Sequence, residues 1–119
     1  MSKDKSFHDY VLNDLFSSFD GITSRAMFGG YGFKKNGMMF GMIADGKLYF
    51  KVGDNNRKDY EKFGSKPFTY RGQKNKVYEM SYWEVPADCL ENPEILEQYL
   101  EKAVDVGLSQ RKNRLQNKS

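Results

Sequence analysis

The sequence has few of the residues on which disulfide-bonded folds and many active sites depend. Cys89 is the only cysteine and His8 the only histidine in 119 residues. A single cysteine excludes an intrachain disulfide, and it lacks the second cysteine that a cysteine-ligated metal site requires. No nucleophile, histidine and carboxylate set can be read around His8, which is more typical of a helix edge. We therefore predict no catalytic residues, no metal site and no cofactor.

Long apolar runs are also missing. No stretch approaches the about 20 apolar residues that a membrane-spanning helix needs. Met1 leads into a polar segment, Ser-Lys-Asp-Lys-Ser, which does not have the apolar core of a signal peptide. We therefore expect a cytoplasmic protein that makes no contact with a membrane.

Positive charge is in excess only at the end of the chain. The net charge is +3, from 19 Lys and Arg against 16 Asp and Glu. The C-terminal stretch contains no acid and holds four cations, which are candidate phosphate contacts: Arg111, Lys112, Arg114 and Lys118. Without these four, 15 basic residues face 16 acidic ones, so the rest of the chain is almost neutral. A few phosphate contacts predict only salt-sensitive binding of low specificity, and a solvated helix end is the more common explanation.

Aromatic residues are abundant by comparison. They make up 15% of the chain, and their rings bury large areas although the mean hydropathy is −0.77. A chain of 119 residues has the length of one domain and can form a core without disulfides or metals. We divide it into a globular domain at residues 1–108 and a basic tail at residues 109–119.

The strongest local signal is a pair of turn dipeptides, Asn36-Gly37 and Asp45-Gly46. Both tolerate the positive φ of two-residue type I′ turns, whose twist matches that of antiparallel strands. They separate runs of aromatic, methionine and β-branched residues. The pattern predicts a three-stranded meander over Met27–Lys35, Met38–Ala44 and Lys47–Val52.

The remaining elements follow from apolar periodicity and helix caps. We predict helices at Ser6–Phe19, from Gly53-Asp54 to Phe63, and from the cap Asn92-Pro93 onwards, with strands at Pro67–Arg71 and Val77–Trp83. Ile22–Ala26 is a lead-in or the first part of an edge strand. The order α-βββ-α-ββ-α indicates a two-layer α+β domain with a five-stranded, mostly antiparallel sheet.

The turns also predict which side chains share a face of the sheet. Two-residue loops place Lys35 opposite Met38 and Ala44 opposite Lys47, and opposed residues share a face. One face is then aliphatic and suits a packed helix. The other is aromatic and rich in methionine, and we identify it as a candidate partner surface: Tyr31, Phe33, Phe40, Met42, Tyr49 and Lys51. The alternative is that the helices divide between the two faces, or that a longer segment folds over the aromatic one.

An ordered series of blocks carries a family resemblance. The blocks are Arg25–Phe33, Gly37–Phe40, Leu48–Lys51, Pro67–Tyr70 and Met80–Pro86. Together they resemble the N-terminal domain of the TfoX/Sxy proteins, regulators of bacterial natural competence (DNA transformation), from the first helix to about Leu108. The resemblance implies a secretion-chaperone-like α+β fold, a stand-alone N-terminal domain, no enzymatic activity, and transcriptional regulation of competence genes.

Three functions stay open at this point. The first is a non-enzymatic regulatory module that binds a protein, either a transcription factor, another part of the transcription machinery, or a second copy of itself. The second is direct nucleic-acid binding of low specificity through the basic tail and the aromatic face. The third is a protein that binds a small molecule.

Overall fold

Six strands and four helices are formed by residues 3–27 and 29–117, the part of the chain that the computed structural model describes, with side chains at 5–27 and 29–112. The strands are β1 Ile22–Met27, β2 Gly30–Lys35, β3 Met38–Ala44, β4 Lys47–Lys51, β5 Pro67–Arg71 and β6 Val77–Glu84. The helices are α1 Lys3–Tyr10, α2 Arg57–Glu61, α3 Ala87–Leu90 and α4 Pro93–Asn117. The sheet is antiparallel in the order β1-β2-β3-β4-β6-β5. The predicted α+β class is confirmed.

The predicted number of strands is wrong, because six are present instead of five. The first predicted strand, Met27–Lys35, is interrupted where Gly29 adopts a φ of +79°. Glycine reaches this left-handed region without a steric penalty. The chain reverses there, so β1 runs back along β2 from Met27 opposite Gly30 to Ile22 opposite Lys35. Of the two predictions for Ile22–Ala26, a lead-in or the first part of an edge strand, the edge strand is therefore correct, although it is a separate strand and not part of β2.

Both predicted turns of the meander are confirmed. Asn36 and Asp45 have φ values of 50° and 53°, and the glycines that follow them are also positive, at 86° and 75°. Lys35 lies opposite Met38, and Ala44 lies opposite Lys47. The local chemistry of Asn-Gly and Asp-Gly is sufficient to fix these two hairpins.

A β-bulge in β3 changes the predicted faces. Lys34 lies opposite Met39 but Phe33 lies opposite Gly41, so Phe40 is an extra residue without a partner of its own. A bulge shifts the alternation by one position beyond the extra residue. Phe33 and Phe40 therefore lie on the helix-covered side, together with Ile43, and not on the same face as Met42. Their predicted place on the aromatic face is wrong.

The core lies between the sheet and the helices, with the ring of Phe16 near its centre. This ring is 5.3 Å from Phe33, 5.7 Å from Phe40 and 6.2 Å from Phe50, measured between ring centroids. A helix was predicted at Ser6–Phe19. In the structure α1 ends at Tyr10, and a π-helical turn follows at Val11–Leu15. The amide of Phe16 donates to the carbonyl of Val11 at 2.9 Å, a π-type bond between residues five apart. The side chains of Val11 and Phe16 are both buried in the core.

The last helix begins as predicted. The Oδ1 atom of Asn92 accepts hydrogen bonds from the amides of Glu94 and Ile95, at 3.2 and 3.3 Å, and Pro93 is the first residue of α4. Its buried stripe packs on β3 and β4: Leu96, Tyr99, Leu100, Ala103, Val106 and Gly107. Residues 109–117, taken as a tail from the sequence, continue this helix.

The core position of Phe40 predicts a large stability effect. Phe40→Ala is expected to lower the free energy of unfolding by about 3–5 kcal/mol, because it leaves a cavity among packed rings. Leu108→Ala is the control, since Leu108 is 50% exposed on α4, and it is expected to change stability by no more than about 0.5 kcal/mol. Urea unfolding followed by circular dichroism measures both. Equal effects of the two variants would contradict the bulged register.

Candidate interaction surface on the open face of the sheet

The side of the sheet opposite the helices, here called the outer face, has an apolar cluster of its own. Its buried members are Met42, Tyr49 and Tyr82, with Met39, Ala44, Phe68 and Met80 packed around them. All seven residues belong to strands, and within the described part of the chain no helix contributes to the cluster. The alternative of helices divided between the faces is therefore wrong. Instead, the ring of Phe68 in β5 packs edge-on against Tyr49 in β4 at 5.3 Å.

Methionine is concentrated on this face. Four of the six methionines of the chain lie there: Met27, Met39, Met42 and Met80. Met38 is on the other side, in contact with Gly107 of α4. Methionine side chains are flexible and polarizable, and they adapt to partners of different shape. This composition is typical of a binding surface more than of a solvated sheet face.

An open groove of about 510 Å³ runs across the outer face. It is lined largely by apolar side chains, including Met27, Met42, Phe68, Tyr70 and Met80. Its lining residues come from β1, β2, β3, β5 and β6. A groove of this kind takes apolar side chains of a partner.

A second hollow, of about 680 Å³, adjoins the groove next to β1. Gly32 forms its floor, where a Cβ atom would come within 2.6 Å of the sulfur of Met27. Arg25 and Lys34 line the hollow and are exposed, and no described carboxylate forms an ion pair with either of them. Because Met27 borders both spaces, an apolar section and a cationic section meet on one surface.

The lysines on the β4 and β6 side of the outer face contact neighbouring side chains. Lys47 forms an exposed ion pair with Glu84 at 3.9 Å, and the ammonium of Lys51 lies 5.6 Å from the ring centre of Tyr82. Burial raises the pKa of Tyr82, and burial together with the charge of Glu84 raises the pKa of Tyr49. Both hydroxyls are therefore neutral at physiological pH.

The predicted partner surface is divided by the fold. Met42, Tyr49 and Lys51 lie on the outer face as predicted. Phe33 and Phe40 are in the core, and Tyr31 is on the helix side, where its ring stacks on His8 at 4.0 Å. The remaining members of the outer face were not predicted as part of the surface: Met27, Met39, Ala44, Phe68, Met80 and Tyr82. The alternation in Val77–Trp83 was a usable signal, but nothing local shows that β6 pairs with β4.

His8 makes contacts that the sequence did not predict. Its Nε2 atom is 2.8 Å from the hydroxyl of Ser24, and its Nδ1 atom is 3.0 Å from a carboxylate oxygen of Asp9. The hydrogen bond to His8 lowers the pKa of Asp9. In hydrolase triads the orienting carboxylate is buried, whereas the Asp9 side chain is 48% exposed and that of His8 only 12%. The arrangement fits a contact that holds α1 against β1 and β2.

Buried polar groups form a second cluster, under α2 and α4. The hydroxyl of Tyr99 donates to the carbonyl oxygen of Asp59 at 2.8 Å. Burial raises the pKa of the Cys89 thiol, which keeps it protonated and unreactive. The hydroxyl of Tyr60 is buried and, among the described residues, has no hydrogen-bond partner. These groups fit the packing of a core. Among the residues that the structure describes, no group of three or more His, Cys, Asp and Glu could hold a metal ion.

The candidate phosphate contacts lie far along α4. Arg111 and Lys112 are exposed there, while the side chain of Arg114 and all of Lys118 lie outside the described residues. Because α4 packs on the helix side of the sheet, Arg111 and Lys112 belong to the helical layer, which is opposite the outer face. No helix in the described ranges has the length and apolar character needed to cross a membrane.

Comparisons with known proteins add one match. The family model described as the TfoX N-terminal domain matches residues 14–107, which include all six strands. No curated protein matches the chain.

The hydroxyl of Tyr60, for which the described residues offer no partner, predicts that removing it and removing the hydroxyl of Tyr99 have opposite effects on stability. Tyr60→Phe is expected to raise the free energy of unfolding by about 1 kcal/mol, since it removes a buried group without a partner. Tyr99→Phe is expected to lower it by about 1 kcal/mol, because the hydrogen bond to Asp59 is lost. Urea unfolding of both variants at neutral pH tests the contrast. A loss of stability in Tyr60→Phe would show that the hydroxyl has a partner.

Tyr60 also predicts sensitivity to alkaline pH. An unfolded tyrosine loses its proton near pH 10, whereas burial raises the pKa of folded Tyr60 well above this value. The contribution of this raised pKa to the free energy of unfolding is therefore complete below about pH 10. It is lost as the pH rises further, by about 1.4 kcal/mol per pH unit for one proton. Urea unfolding between pH 8 and pH 11 should show a smaller loss of the free energy of unfolding in Tyr60→Phe than in the wild type. Identical slopes would contradict the expectation.

Proposed function

Because the chain belongs to the TfoX N-terminal domain family, we propose that it is a non-enzymatic protein-interaction module that acts in the regulation of competence genes. The observation that supports this proposal is the outer face, which carries four methionines, three of which line an open apolar groove. The partner is a component of the transcription machinery or another regulator. Binding it requires no chemistry from the chain, only a surface of the right shape.

The composition of the outer face supports a protein partner. A sheet face that only meets water is normally polar, with apolar residues on the opposite side. Here both sides are apolar, and the outer one has aromatic and methionine side chains around a groove. Met39, Phe68 and Met80 are half-buried, so part of this apolar surface is open to a partner. Grooves of similar character take the apolar face of a partner helix or segment.

The same face is less suited to nucleic acid. Proteins that bind single strands stack the bases on exposed aromatic rings. Tyr49 and Tyr82 are only 8% and 7% exposed, so little of their surface is open to a base. Tyr70 and Tyr78 are exposed, but their rings already stack on each other at 5.5 Å. We therefore place protein binding ahead of nucleic-acid binding as the function of this face.

A charge introduced into the groove tests the proposal. Met80→Glu is expected to weaken capture of a specific partner from a cytosolic extract by about tenfold or more, since a carboxylate in an apolar contact loses its hydration. Leu108→Glu, on exposed α4, is the control and should capture the partner like the wild type. Quantitative mass spectrometry of the bound proteins gives the ratios, and thermal melts establish that both variants are folded.

Two outcomes separate the possibilities for this surface. If Met80→Glu captures every protein that the wild type captures, in the same amounts, the outer face is not the binding surface. If the purified wild type self-associates in sedimentation velocity and Met80→Glu does not, the partner is a second copy of the chain.

A further inference from the structure

Within the described residues, the free edge of β1 is covered by no other strand and carries only charge as protection against strand pairing. β1 pairs only with β2, so half of its backbone amides and carbonyls point away from the sheet. The opposite edge is different, because β5 begins at Pro67 and contains an irregularity before Thr69. Natural sheets protect their edges with prolines, bulges and charges, since an open edge is a template for another strand. β1 is regular over six residues and has no proline and no bulge.

Positive charge surrounds this edge on the outer face. Arg25 is in β1. Lys34 of β2 lies opposite Thr23, which is two residues before Arg25 and on the same face of the sheet. Both side chains are exposed and line the hollow of about 680 Å³ next to β1. The residues described as lining that hollow include no carboxylate. A segment that pairs with β1 would therefore place alternate side chains beside two cations.

We infer that β1 takes an extended, acidic segment of a partner protein, which pairs with it as a seventh strand of the sheet. This inference rests on the proposed function, because it names the class of segment that a protein-interaction module would bind. Main-chain hydrogen bonds to β1 supply affinity, and side-chain charge supplies selectivity, as in other cases of strand addition.

The register of the sheet defines the preferred sequence of this segment. Strands are about 4.8 Å apart, so a carboxylate opposite Arg25 is in direct contact distance. A glutamate opposite Thr23 is two strands from Lys34, about 10 Å between backbones, which two long side chains can span. The position opposite Met27 borders the apolar groove and suits an apolar residue. Because all strand pairs of the sheet are antiparallel, we take the added strand to be antiparallel to β1. From its N- to its C-terminus, the expected pattern is then one apolar residue followed by two acidic residues, each at alternate positions.

A second copy of the chain fits this edge poorly. If β1 pairs with β1 of a second copy, two antiparallel registers pair five residues of each strand and place opposed residues on the same face of the combined sheet. In the register centred on Arg25, this residue lies opposite its own copy. In the register centred on Ser24, Arg25 of the second copy lies opposite Thr23 and therefore beside Lys34. Both registers bring like charges together, which destabilises strand pairing.

Nuclear magnetic resonance with two synthetic peptides tests the inference on the full chain. One capped peptide of about ten residues, long enough for a full strand, has glutamates and valine in the expected pattern. Its twin has lysines in place of the glutamates. The readouts are amide shifts and hydrogen exchange in β1, together with the methyl signal of Met27. Met38, which packs against α4, is the internal control.

We expect the glutamate peptide to shift the β1 amides, slow their exchange, and bind about tenfold more tightly than the lysine peptide. Arg25→Glu should reverse this preference, while Lys58→Glu, an exposed change on α2, should leave it unchanged. Equal affinity of the two peptides, or no binding of either at millimolar concentration, overturns the inference. Shifts at Met42 and Met80 without protection of β1 also overturn it, but leave the outer face as the binding surface. Shifts of β1 by an oligothymidylate alone would assign the edge to nucleic acid instead.

Discussion

One extra residue in β3 determines the arrangement of the whole sheet. With Phe40 bulged between Met39 and Gly41, both Phe33 and Phe40 point toward the helices and meet the ring of Phe16. Beyond the bulge the alternation is shifted, so Met42 and its neighbour Tyr49 point the other way. Bulges increase local twist and redirect side chains. The aromatic core and the methionine-rich outer face are therefore two results of the same backbone irregularity.

The outer face is organised by strands alone, which gives it a character between core and surface. Phe68 reaches from β5 across β6 to the ring of Tyr49. Phe68 also lines one groove together with Met27, although β5 and β1 are the two edge strands of the sheet. Three side chains of this face are buried, and a groove lies beside them. Around the groove, flexible methionines border rigid strands, a combination that adapts to a partner at little cost in backbone order. The cationic edge next to it adds selectivity by charge.

Elsewhere the polar groups of the interior serve packing. His8 is held between Ser24 and Asp9 and stacks on Tyr31, which attaches the first helix to the edge of the sheet. Asn56 is buried after β4, where its side chain bonds the backbone of Gly53 and Lys51 at 2.8 and 3.1 Å. These contacts satisfy groups that would otherwise be buried without partners. They fix the helices and loops on one side and leave the other side of the sheet open.

The sequence by itself determined the features that depend on a few adjacent residues. Asn36-Gly37 and Asp45-Gly46 set two hairpins through their φ preferences, Asn92-Pro93 started α4, and an ordered series of blocks indicated the family. Only the tertiary structure decided the bulge at Phe40, the pairing of β6 with β4, and the reversal that makes β1 a separate edge strand. These choices depend on which residues pack best across distant strands, so no local pattern encodes them. The binding face was visible in composition, but its members were fixed by long-range pairing.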